Sequence, residues 1–115
     1  MLKVISTTLI CMVLALTVSA HAVLLEATPA AHAFLKGPAV TVHLRFNSRV
    51  DAERSSLNLV LPNQTARVLA IDRQSSPDTL NAQAAGLQSG QYRLRWQVLA
   101  ADGHITRGEI PFEVR

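Results

Sequence analysis

Sulfur is nearly absent from this chain of 115 residues, and all of it sits at one end: Met1, Cys11 and Met12. Those positions fall in a stretch that reads as a secretory leader. Lys3 supplies a basic start, Val4 to Val18 an apolar run, and Ser19-Ala20 a small-residue cleavage site. A mature chain of residues 21–115 then forms no disulfide and offers a metal no thiolate or thioether. Cys11 lies within the apolar run rather than at its end, which argues against a lipid anchor. No second long apolar run follows, so no transmembrane helix is expected. Repeats, low-complexity tracts and long linkers are missing too, which leaves one small domain with a modest core.

Charge of either sign is also sparse. Setting Lys3 aside, ten basic side chains face eight acidic ones. The arginines are spread from Arg45 to Arg115 instead of clustering, so the pI of about 9.8 signals solubility and weak attraction to anionic surfaces, not nucleic-acid binding. Membrane contact is expected to be peripheral or nil.

What is present is β patterning. Val40, Val42, Leu44 and Phe46 alternate with Thr41, His43, Arg45 and Asn47, the period of a half-buried strand. Leu57, Leu59 and Leu61 repeat it up to Pro62-Asn63, and Tyr92, Leu94, Trp96 and Val98 alternate with Gln91, Arg93, Arg95 and Gln97. Ala22–Ala27, Val68–Ile71, Leu80–Ala84 and Ile110–Val114 complete about seven strands. Clusters of Gly, Pro, Asn, Asp and Ser separate them, which predicts an all-β, two-sheet sandwich of immunoglobulin-like type. Tyr92 follows a Gly-containing turn into a central strand, as in a Greek-key tyrosine corner. Trp96, on the same face, is then a core residue.

Chemistry concentrates at two places. Cleavage after Ala20 frees His21 as an N-terminus, where one residue offers a metal both its α-amine and its imidazole. Ala101-Asp102-Gly103-His104, taken alone, reads as a hairpin turn. Asp102 and His104, one glycine apart, can nevertheless project carboxylate and imidazole from the same side of that turn. Together with His21 they make an amine, two imidazoles and a carboxylate. Nitrogen and oxygen donors in tetragonal array suit Cu(II) or Ni(II), with Cu(II) the tighter of the two and tighter than Zn(II), whereas Cu(I) prefers the sulfur this chain lacks. Binding requires the amine and imidazoles to be neutral, so affinity falls on acidification. His43 sits on the polar side of its strand and His32 in a loop, and neither is assigned as a ligand. The cleavage signal leaves two cuts open. Val18-Ser19-Ala20 permits one before His21, while Ala20-His21-Ala22 permits one that discards it, and Asp102 and His104 favour the first.

His21-Ala22-Val23-Leu24, Thr28-Pro29-Ala30, Val42–Asn47, Gly90–Trp96 with Ala101-Asp102-Gly103-His104, and Gly108–Val114 together resemble the CopC family of periplasmic copper-binding proteins. The resemblance covers residues 21–115. It implies a seven-stranded Greek-key sandwich, with cupredoxin-like topology the alternative, binding one Cu(II) ion per chain through His21, Asp102 and His104. It implies a non-enzymatic periplasmic copper carrier or buffer for homeostasis or resistance, exchanging copper with an inner-membrane transporter of the CopD type. The methionine-rich loop that some members use for Cu(I) has no counterpart here, and His32 stands where the family pattern usually has a small residue. Two other functions compete. One is a copper oxidative enzyme built on an N-terminal histidine, for which the domain leaves little substrate-binding face. The other is a metal-free immunoglobulin-like interaction module. No nucleophilic triad is evident.

Overall fold

The computed structural model describes residues 21–115, and the leader expected at 1–20 lies outside the described residues. Eight strands follow one another: β1 Leu24–Thr28, β2 Ala33–Leu35, β3 Val40–Phe46, β4 Val50–Val60, β5 Ala66–Leu69, β6 Thr79–Ala84, β7 Gly90–Ala100 and β8 Ile105–Val114. They form two sheets, three-stranded in the order β1-β3-β6 and five-stranded in the order β2-β8-β7-β4-β5. The described residues contain no helix.

The alternating segments become strands because each buries one face against the other sheet. Val40, Val42, Leu44 and Phe46 of β3 point inward, and Tyr92, Leu94, Trp96, Val98 and Ala100 of β7 meet them from the larger sheet. Leu44, Leu57, Leu80 and Leu94 are fully buried, each contributing about 1.5–3 kcal/mol of apolar transfer. Phe46 meets the Trp96 ring edge-on at 5.4 Å, the arrangement that the ring quadrupoles favour. Tyr92 stacks on Phe112, and its hydroxyl donates to the Gln88 carbonyl at 2.7 Å, closing the expected tyrosine corner.

The sandwich has one strand more than the hydrophobic pattern suggests. β2 pairs in parallel with the end of β8, with Ala33 opposite Phe112 and Leu35 opposite Val114. It is three residues long and leaves Phe34 exposed under the Arg115 guanidinium, so it shows no legible alternation. The fifth strand lies at Ala66–Leu69 rather than Val68–Ile71, and β4 begins well before Leu57. Between Asp51 and Ser56 the register of β4 against β7 slips through a wide bulge. There the Ser55 hydroxyl donates to the Asp51 carbonyl and accepts the Leu99 N–H, standing in for an interrupted ladder.

The longest ladder carries the turn that holds Asp102 and His104. β7 and β8 pair continuously from Gly90 opposite Val114 to Leu99 opposite Ile105. Residues 101–104 form the turn at its tip, and β1 brings the start of the described chain alongside β3 at the same end, with Leu24 opposite Phe46.

Candidate metal centre

The tip turn is built by its own sequence. Gly103 takes φ = +86°, a left-handed conformation that costs glycine little, and its N–H donates to the Ala100 carbonyl. The Ala100 N–H in turn donates to the His104 carbonyl at 2.8 Å, closing the loop. Asp102 then folds over its successor, accepting the His104 backbone N–H at 3.0 Å through Oδ1. Its other oxygen, Oδ2, lies 2.7 Å from His104 Nδ1. With Nδ1 occupied by the carboxylate, Nε2 is the ring nitrogen left open to an ion.

His21 reaches this turn from the other sheet. Its ring centroid lies 4.7 Å from that of His104, with the planes inclined at 58°. One donor atom from each of His21, Asp102 and His104 falls within 4.8 Å of the others. Donors sharing one ion at about 2.0–2.2 Å stand no more than about 4.4 Å apart, so small side-chain rotations close the difference. The sequence therefore brings together the three residues it singled out.

The remaining histidines lie elsewhere. The His32 N–H donates to the Pro111 carbonyl, and Pro111 follows His104 by seven positions along β8, roughly 23 Å away. His43 is half-buried on β3 with Nδ1 against Asn81 Oδ1 at 2.7 Å, a structural partner. Glu26 is engaged by Arg45 at 2.9 Å.

Hydrogen bonds from the His104 ring and from its backbone N–H hold the Asp102 carboxyl below the usual carboxylate range, with the charges of His104 and His21 adding to the effect. Asp102 is therefore an anion over the whole range in which ordinary imidazoles titrate. All three residues are exposed. The nearest large cleft, about 830 Å³, is lined by Ala101 and Gly103 of the turn and by Arg49, Arg54 and Gln74, but not by Asp102 or His104. The cluster is a surface site, open to an approaching group and not enclosed around a substrate. One residue that the sequence did not single out touches this end of the molecule. Asn47 Oδ1 accepts the Val23 N–H at 2.7 Å, and an asparagine after an alternating strand reads simply as a turn former.

Known proteins match along nearly the whole of this fold. The CopC domain model matches residues 24–115. Protein YobA of Escherichia coli K12 is 30% identical over 102 residues, which cover 86% of this chain and 82% of YobA. The structure of CopC from Methylosinus trichosporium OB3b superposes with a TM-score of 0.76 at 30% identity, covering 82% of this chain and 93% of that one. PcoC, a methionine-rich copper resistance protein from Escherichia coli, shares the fold at a TM-score of 0.65 and 20% identity, over 83% of this chain and 99% of PcoC. With the domain model running from the first strand to the last residue, this chain belongs to the CopC family.

Proposed function

We propose that the exported chain binds one Cu(II) ion through the His21 amine and imidazole, Asp102 and His104. In this reading it holds or carries copper in the periplasm and exchanges it with a membrane transporter of the CopD type. CopC proteins are copper-binding resistance proteins and not enzymes, so the copper is cargo. The observation that carries the reading is the approach of the His21 and His104 rings to 4.7 Å from distant parts of the sequence. The donor set is nitrogen and oxygen throughout, which favours Cu(II) over Cu(I). PcoC is methionine-rich, whereas this chain has no methionine after Met12.

Two further features support the reading. Ala22 is buried at 1% exposure in the core cluster, so a cut after Ala22 would delete a core residue as well as His21. That favours cleavage after Ala20. Val23 and Ile105, each next to a ligand segment, are about half exposed, which suits contact with a partner that receives the ion.

The test combines mass and titration. Intact mass of the exported protein should correspond to residues 21–115 and rise by one copper on loading. His104→Ala should lower Cu(II) affinity by at least tenfold in competition with a chelator. Unchanged affinity in that variant would remove the site, and a mature chain beginning at Val23 would remove the N-terminal ligand.

A further inference from the structure

The proposed site joins two parts of the chain that have no continuous ladder between them. His21 precedes the first paired residue, Leu24, by three positions. A free arm of that length spans up to about 10 Å, enough to carry the imidazole away from His104. The side chain of Ala22 is anchored in the core, but one small side chain does not fix the direction of its neighbour.

The three-residue connection between β3 and β4 touches both parts. Asn47 holds the Val23 peptide from both sides: its Oδ1 accepts the Val23 N–H at 2.7 Å, and its own N–H donates to the Val23 carbonyl at 2.9 Å. Two positions on, the Arg49 carbonyl accepts the N–H of Ala101, the residue before Asp102, at 3.2 Å. The connection itself stands on rigid flanks. Phe46 is buried against Trp96 and donates its N–H to the Asp78 carbonyl, and Val50 is buried and donates to the Pro77 carbonyl. Ser48, between the two contacts, keeps a buried Oγ with no partner, so the hydroxyl adds nothing to the link.

We infer that Asn47 is a positioning residue for the metal centre: its clasp on the Val23 peptide sets His21 against His104, while Arg49 of the same connection fixes the 101–104 turn. This rests on the copper reading above. The Asn47 carboxamide does not itself need to touch the ion. It removes the freedom of the arm before the ion arrives, which raises affinity by preorganisation.

The test uses Asn47→Ala, Asn47→Asp and Ser48→Ala in the exported protein. In the metal-free state, hydrogen exchange should show the Val23 amide losing protection in Asn47→Ala while Leu94 and Val98 keep theirs. Cu(II) affinity should fall about two- to tenfold, the range that follows from one lost hydrogen bond. The Cu(II) visible band should move to lower energy as the nitrogen donors of His21 are partly released. Asn47→Asp, whose carboxylate accepts the same N–H, should restore Val23 protection and recover at least the original affinity. Ser48→Ala should match the unaltered protein in both. Wild-type affinity and spectrum in Asn47→Ala, no recovery in Asn47→Asp, or an equal loss in Ser48→Ala would each overturn the assignment. If the unaltered protein bound no copper, the function reading would fail instead, while Val23 exchange would still report on the clasp.

Discussion

Gly108 and Trp96 face each other across the β7–β8 ladder, and Gly108→Ala tests how firmly that pair is locked. A Cβ at Gly108 would lie 2.2 Å from Trp96 Cζ2, 2.3 Å from Cε2 and 2.6 Å from Nε1. The indole cannot simply swing aside, because its other edge packs on Phe46 at 5.4 Å. Overpacking of this kind costs about 1–3 kcal/mol. Disturbing the aromatic pair adds about 0.5–1.5 kcal/mol. Alanine in a strand recovers about 0.5–1 kcal/mol of backbone entropy that glycine forfeits. The net expectation is a loss of about 2 kcal/mol, or roughly 8–16 °C in melting temperature for a domain of this size. Thermal and urea unfolding followed by far-UV circular dichroism, which survives the loss of Trp96, would measure it. The double variant Trp96→Phe/Gly108→Ala should lose about 1 kcal/mol less than the two single losses summed, since a phenyl ring lacks the crowded indole edge. Copper affinity below the transition should stay within about twofold, because the tip turn is closed by its own hydrogen bonds. A loss under about 0.5 kcal/mol, or additive single and double variants, would refute the packing argument.

Gly103→Ala should show the opposite pattern. Nothing lies within 4 Å of its Cβ position, so only the left-handed φ of +86° is strained, at about 1–2 kcal/mol, and relief of that strain displaces Asp102 and His104. Copper affinity, read by chelator competition, should suffer more than in Gly108→Ala, and melting temperature less. Tyr92→Phe should cost about 0.5–1.5 kcal/mol in unfolding experiments by deleting the bond to the Gln88 carbonyl. Acidification should act in two ways. The amine and imidazoles must be neutral to bind, so copper affinity should weaken steadily as the medium is acidified. Asp102 is held below the ordinary carboxylate range, so its contribution to the folded turn is complete above that range and is lost only as pH falls through its own depressed value. Copper affinity that does not weaken on acidification, or an Asp102–His104 bond already lost within the ordinary carboxylate range in the metal-free protein, would contradict this.

The parts of the fold that could be read from the sequence are those where one physical cause acts alone. Val40 to Phe46 and Tyr92 to Val98 alternate because each strand has one face in the core, and the structure buries every inward residue. Tyr92 declared its corner through the preceding Ser89-Gly90. β2 stayed hidden because its three residues owe their conformation to a parallel partner near the end of the chain. The first half of β4 stayed hidden because the bulge breaks its period. Val68, which opens the strand expected at Val68–Ile71, lies 76% exposed in the edge strand β5. At the candidate metal centre, donor chemistry and the Asp-Gly-His spacing pointed to Asp102 and His104, whereas the Asn47 clasp on the Val23 peptide is a tertiary contact that no residue pattern encodes.

The distance along the chain between His21 and His104, 83 positions, has a consequence for unfolding. An ion held by both is a crosslink that closes most of the domain into a single loop. By the loop-entropy relation for a covalent crosslink, a closure of that length disfavours the open chain by roughly 4–5 kcal/mol. Copper would thus do for this cysteine-free domain what a disulfide does for other exported proteins. Unlike a disulfide, such a crosslink would dissolve when the ion left, so on the proposed copper-carrier reading the metal-free form should be the more readily digested by proteases.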